Sequence, residues 1–228
     1  MNVPFEGPGY ILDWLEENGH GLQVWKPYDG YSLPEAEDVD LLVVLGGPMS
    51  VYEEDKFPYL AGEKKLIRDC IKLKRKVMGI CLGAQLIAEV LGSRVIKNRE
   101  KEIGWFSVHT QGEYGAPEIL SELPEHYMPF HWHGETYDLP GGATLLGSSE
   151  ACRNQGFIYA NHVLALQFHL EVTPGIIEGL LQHASHDLTA GPFVQSEREI
   201  RAGLSNCPGN KALLFAVLDR FAGFQDKN

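Results

Sequence analysis

Apolar and polar positions along this 228-residue chain follow two different rhythms. In the first half, "GPGYILDWLEENGH" puts Ile11, Leu12 and Leu15 on one helical face and closes on Asn18-Gly19. "LQVW" (22–25) predicts a short strand, and "DLLVVLGG" a strand buried on both faces with a Gly-Gly stop. "YLAGEKKLIRDCIKLK" is amphipathic at helical spacing, "KVMGI" reads as the next buried strand, and "GAQLIAEVLG" as a helix ended by Gly92. Strands alternating with helices predict parallel βαβ units, hence an α/β fold with a doubly wound, mostly parallel sheet.

From "SRVIKN" to "HVLALQFHLE" the pattern changes to short strands and turns, with Gly-Gly at 141–142. Thr173-Pro174 opens a helix, threonine as the cap and proline in the first turn. Beyond Asp187 lie two more helical stretches, around 195–204 and 211–224. The chain therefore divides into a domain over 1–186 and a helical extension over 187–228. The start is unusual. A doubly wound sheet opens with a strand, because its first helix must cross from one strand to the next. Here the first helix follows a loop-like "MNVPFEGP", so either the topology departs from that rule or a first strand is missing.

Composition narrows the function. A net charge of −12 argues against nucleic acid or an anionic membrane as partner, since phosphate contacts need a basic face. No apolar run approaches the roughly 20 residues of a membrane span, and "MNVPFEGPGY" has neither the basic nor the apolar part of a secretory signal. Cys70, Cys81, Cys152 and Cys207 lie far apart with no CxxC pair, which suits neither a disulfide framework nor a zinc knuckle. A reducing cytoplasm is the expected location.

Candidate chemistry centres on "GICLG" (79–83). A strand–nucleophile–helix elbow needs small residues two before and two after the nucleophile, so that strand and helix can approach through a strained turn. Gly79 and Gly83 stand at those places around Cys81, and the helix that follows aims its positive end at the sulfur. A buried thiol in a strand is the ordinary alternative. A base is available in "VLALQFHLEVTP", where period two puts His169 and Glu171 on one strand face, like the base and orienter of a catalytic triad. Taken alone, that pair reads equally as a surface histidine and glutamate. "VLGGPMSV" supplies a Gly-Gly turn after a strand, able to offer backbone N–H groups to an anion.

Together, "LGGPMSV", "GICLGAQ" and "FHLE" resemble the three motifs of the class I glutamine amidotransferases of triad type, over residues 3 to 181. "EIGW", "FHWHGETYDLP" and "SSEACRNQGF" resemble a stand-alone subgroup similar to the amidotransferase domain of GMP synthase and to plant γ-glutamyl peptidases. The resemblance implies a flavodoxin-like sheet with residues 1–186 as the catalytic domain. It implies Cys81 as nucleophile, His169 as base and acid, Glu171 as its orienter, and the N–H groups of Gly47 and Leu82 as the oxyanion hole. Gln85, His133 and Glu135 would seat the substrate, with Glu135 where an aspartate is more usual. Neither metal nor organic cofactor is implied. Family members also carry a strand before "VPFEGPG", so a central strand position is expected to be empty or otherwise filled.

The expected reaction is hydrolysis of the glutamine side-chain amide through a γ-glutamyl thioester, with glutamine or a γ-glutamyl compound as substrate and an ammonia-accepting synthase subunit as a candidate partner. One alternative is hydrolysis of γ-glutamyl peptides or conjugates; another is a non-catalytic binding or regulatory module. His131 and His133, two apart, could with His169 or Glu135 imitate a metal site, but the resemblance assigns them to the substrate pocket. Trp105 and Trp132 read as either core or pocket wall.

Overall fold

The computed structural model describes residues 1–30, 32–111 and 118–223. Along them run helices α1 (Tyr10–Glu17), α2 (Tyr59–Lys72), α3 (Leu82–Val90), α4 (Pro174–His183), α5 (Glu197–Ala202) and α6 (Cys207–Ala222). The strands are β1 (Leu41–Val44), β2 (Lys76–Ile80), β3 (Val95–Trp105), β4 (Val108–Thr110), β5 (His126–Tyr127), β6 (Phe130–Tyr137), β7 (Ala143–Ser148), β8 (Gly156–Tyr159) and β9 (Val163–Leu166).

One sheet runs in the order β1-β2-β9-β8-β7-β4-β5, and β3 pairs with β6 in a second, two-stranded sheet. β1, β2 and β9 are parallel, as the βαβ pattern predicts, and from β8 outward the pairing is antiparallel. Helices cover both faces. Leu60 and Ile67 of α2 and Leu86 and Ile87 of α3 pack with Val77 on one face. Ile11 and Trp14 of α1 join Leu214 and Phe221 of α6 over Leu164 on the other. Each such side chain, fully buried, stabilises the fold by roughly 1.5–3 kcal/mol. α6 contributes Leu214, Val217, Leu218 and Phe221 to that core, so the helical extension is integral to it. The C-terminal stretch ends as a helix at Ala222; Phe224, the expected last helical position, lies outside the described residues.

Three expectations need correction. "LQVW" forms no strand, and Leu22 and Val24 remain exposed. β1, expected to be buried on both faces, is an edge strand with Leu41 and Val43 only half-buried. A strand needs a partner on each side to be covered, and among the described residues none precedes β1. Finally, the strand carrying "VLAL" stops at Leu166, so His169 and Glu171 lie just beyond it. They are held there by a lone bridge from His169 to Phe130. Both are buried, which removes the surface-facing alternative.

Candidate active site

The turn from β2 into α3 places Cys81 at the carboxyl end of the parallel strands. Its φ of 54° and ψ of −109° are sparsely populated by a residue with a Cβ and store strain. The surroundings impose it. A Cβ on Gly79 would come 2.5 Å from the Gly83 backbone, and one on Gly83 would collide with the Val44 carbonyl. Only glycines at both places let β2, α3 and β1 approach this closely, which is the physical content of the GxCxG spacing. The Cys81 thiol donates to the Trp132 carbonyl at 3.6 Å.

His169 reaches the same point from the end of β9. Its Nδ1 lies 2.6 Å from Glu171 Oε1. A carboxylate only accepts, so Nδ1 carries a proton, and Nε2 is the nitrogen that presents a lone pair whenever the ring is neutral. Nε2 is buried without a hydrogen-bond partner, the one thiol hydrogen of Cys81 going to the Trp132 carbonyl. Burial alone would push this imidazole down, but the Glu171 charge, the bond to it and the neighbouring Cys81 hold it well above its usual range. Glu171 is fixed in turn by the start of α1, where the Tyr10 N–H donates to the Glu171 carbonyl at 2.8 Å.

Cys81 opens into a cavity of about 330 Å³. Gly47, from the turn after β1, lies against the first residue of α3: Leu82 Cδ2 would be 3.1 Å from a Cβ on that glycine. Gln85 is buried and donates to the Gln167 side chain at 3.2 Å and the Glu135 carbonyl at 3.3 Å. Glu135 accepts from Ser50 Oγ at 3.3 Å, and burial pushes its carboxyl up despite that bond. His133 borders the cavity, but its ring faces the Glu135 carbonyl and Glu102. Lys101 and Asp187, also lining the cavity, form a 3.0 Å ion pair, with the Lys101 side chain running beside Gly134. Trp132 is pocket wall, whereas Trp105 is core, its Nε1 donating to the Ile200 carbonyl at 2.9 Å.

Sequence reasoning missed Glu6. It enters the cavity from the "VPFEGPG" loop and flanks Gly46, where a side chain would meet both its carboxylate and, at 3.4 Å, His169 Cε1. Burial pushes the Glu6 carboxyl up to about 7, with His169 pulling it down and Glu171 adding to the rise. Its one signal was an acid in a Gly/Pro-rich loop. The imagined metal grouping of His131 and His133 with His169 or Glu135 does not form; those two histidines meet Glu102 instead.

Comparison with known proteins gives a consistent family. Residues 10–181 match the family described as "Glutamine amidotransferase class-I". The glutamine amidotransferase-like protein YfeJ of Salmonella typhimurium is 37% identical over 210 residues, covering 89% of this chain and 87% of its own. Gamma-glutamyl peptidase 3 of Arabidopsis thaliana is 30% identical over 183 residues, covering 71% and 67%. A crystal structure of a glutamine amidotransferase from Methylobacillus flagellatus superposes with a TM-score of 0.91 at 30% identity, covering 100% of this chain and 94% of that one. The GMP synthases it matches are far longer: the chain spans 24% of the one from Bacillus velezensis.

Proposed function

This chain belongs to the class I glutamine amidotransferase family, and from that premise we propose that it hydrolyses the side-chain amide of glutamine through a thioester on Cys81. The observation that carries the reading is the hydrogen bond between His169 and Glu171. With Nδ1–H locked onto Glu171 at 2.6 Å, Nε2 is the nitrogen left to exchange a proton with the Cys81 thiol.

The proposed sequence follows. Nε2 takes the Cys81 proton as the sulfur attacks the amide carbon. The resulting oxyanion is held by the N–H groups of Gly47 and Leu82, the second at the N-terminus of α3. The imidazolium, supported by Glu171, returns its proton to the departing nitrogen, and ammonia leaves. Water then attacks the γ-glutamyl thioester, giving its proton to Nε2; glutamate is released and the thiol is restored. Gln85 and Glu135 would seat the amino-acid end, Glu135 facing the ammonium. Lys101, which also lines the pocket, suits the α-carboxylate. His133, its ring already engaged, would hold the Glu135 segment in place. The partner would be a synthase subunit that consumes the ammonia.

A second reading, hydrolysis of γ-glutamyl peptides, is favoured by one observation. The match to gamma-glutamyl peptidase 3 spans most of both chains, while that to GMP synthase leaves most of the synthase unmatched. The same residues would act, with an amine in place of ammonia as leaving group. A substrate panel decides between them: glutamine against γ-glutamyl dipeptides, with and without cell extract. The amidotransferase reading expects glutamine to be preferred, or to become so when extract supplies an acceptor. Turnover of a γ-glutamyl peptide well above glutamine under both conditions would replace it with the peptidase.

A further inference from the structure

Behind the floor of the pocket lies a buried polar cluster that the proposed reaction leaves unused. Glu102 of β3 faces His131 and His133 of β6, with all three side chains almost wholly buried. The register of the two strands shifts between Lys97 and Glu102, and this irregularity aims the carboxylate at both rings. Glu102 Oε2 lies 3.5 Å from His131 Nδ1 and 3.2 Å from His133 Nε2.

The outer nitrogens of both rings are committed elsewhere. His131 Nε2 lies 3.1 Å from the Phe106 carbonyl, and His133 Nδ1 lies 3.1 Å from the Glu135 carbonyl. A carbonyl oxygen only accepts, so those nitrogens carry the protons. In neutral imidazoles the remaining nitrogens then point bare lone pairs at a carboxylate. Glu102 Oε2 also accepts from Gln155 Nε2, but no hydrogen then lies between the carboxylate and either ring, and Glu102 Oε1 and His131 Nδ1 are buried without a hydrogen-bond partner. The centre lacks a positive charge.

We infer that Glu102, His131 and His133 form a binding site for a divalent cation of the zinc class. Outer N–H groups fastened to backbone carbonyls are what orients metal-binding histidines. The ligand atoms lie within 4.8 Å of one another, and the two separations from Glu102 match the edge of a tetrahedron with zinc-ligand bonds, about 3.3 Å. Two imidazoles and one carboxylate are a borderline donor set that suits zinc above magnesium or calcium. The cation would clamp β3 to β6 and so fix the 131–135 segment, which supplies the Trp132 carbonyl to Cys81 and the Glu135 carboxylate to the pocket. The rival occupant is a proton, making one ring an imidazolium.

The test uses the full chain carrying His109→Ala and His126→Ala, because His109, Glu125 and His126 form an exposed cluster that would also take zinc. This protein is stripped with chelator, then titrated with zinc or cobalt(II). The inference expects stoichiometric metal after gel filtration, the visible absorption of tetrahedral cobalt(II), and a rise in melting temperature with zinc, all lost in Glu102→Gln. Independently of how Glu102→Gln folds, the cobalt spectrum of the protein with Glu102 intact stands as evidence by itself. Absence of retained metal and of the cobalt bands would overturn the inference, as would binding that disappears with the His109 and His126 changes. Histidine nitrogen NMR would then show the imidazolium in its place.

Discussion

The cleft along β1 encloses about 660 Å³, twice the roughly 330 Å³ above Cys81. Its walls are the edge residues 41–45, the unpaired 21–25 segment and Ile11 and Trp14 of α1. Among the described residues lining it there is no cysteine, serine or threonine. Each cavity also holds a glutamate pushed up to about 7 by desolvation, the buried Glu63 in the cleft and the half-buried Glu6 in the pocket. Their neighbours differ. Beside Glu63 is the Met1 ammonium, whose hydrogen bond goes to the Trp25 carbonyl at 3.0 Å; beside Glu6 are His169 and Glu171. Volume and a perturbed acid are thus common to both regions. What sets the smaller one apart is the strained Cys81 thiol on its wall and the hydrogen-bonded His169–Glu171 pair that acts on Glu6 beside it.

The largest effect expected from this contrast is on turnover. Cys81→Ala removes the attacking atom and His169→Ala the proton shuttle, so each should lower kcat by roughly four to six orders of magnitude. Ammonia release by the folded variants measures it, and retention of wild-type turnover by Cys81→Ala would break the distinction between the two regions. Glu171→Gln should cost roughly a hundredfold less, because the base remains and only its orientation and charge support are weakened. A double change of Cys81 and Glu171 should lose little beyond Cys81→Ala, since the three groups act together.

The two raised acids give the smallest and sharpest test. For each, the folded pKa of about 7 lies above the ordinary 4.5, so the folded chain holds the proton more tightly than the unfolded one. The resulting stability is fully present below pH 4.5 and is lost as pH rises to about 7, by up to about 3 kcal/mol per group. Glu63→Gln should flatten that slope in denaturation curves and leave turnover alone. Glu6→Gln should flatten the same slope and also remove a rise in kcat/KM near pH 7, where ionised Glu6 would support the His169 imidazolium. If Glu63→Gln moved the pH–rate profile as much as Glu6→Gln, the cleft would be coupled to the chemistry and the comparison would fail.

The parts of the site legible in sequence are those set over short stretches of chain. Gly79, Cys81 and Gly83 define one turn; His169 and Glu171, two residues apart, define one hydrogen bond. Glu6 is different, because its neighbour His169 arrives from the far end of the domain and only tertiary packing joins them. The Glu102 cluster depends on the register shift between β3 and β6, which no local pattern reveals. Helices and central strands were readable from periodicity, since their burial follows their own spacing. "LQVW" was misread because a strand is defined by its partner, and the half-exposure of β1 depends equally on what lies beside it.

The central claim is a covalent intermediate on Cys81, and acid quenching during turnover followed by intact-mass and peptide analysis tests it most directly. With glutamine or a γ-glutamyl peptide in excess, the account predicts a mass gain of one glutamyl residue on the peptide containing Cys81. Cys70, Cys152 and Cys207 should stay unmodified, and the adduct should be absent in Cys81→Ala. Steady turnover with the glutamyl group on another residue, or undiminished in Cys81→Ala, would contradict it.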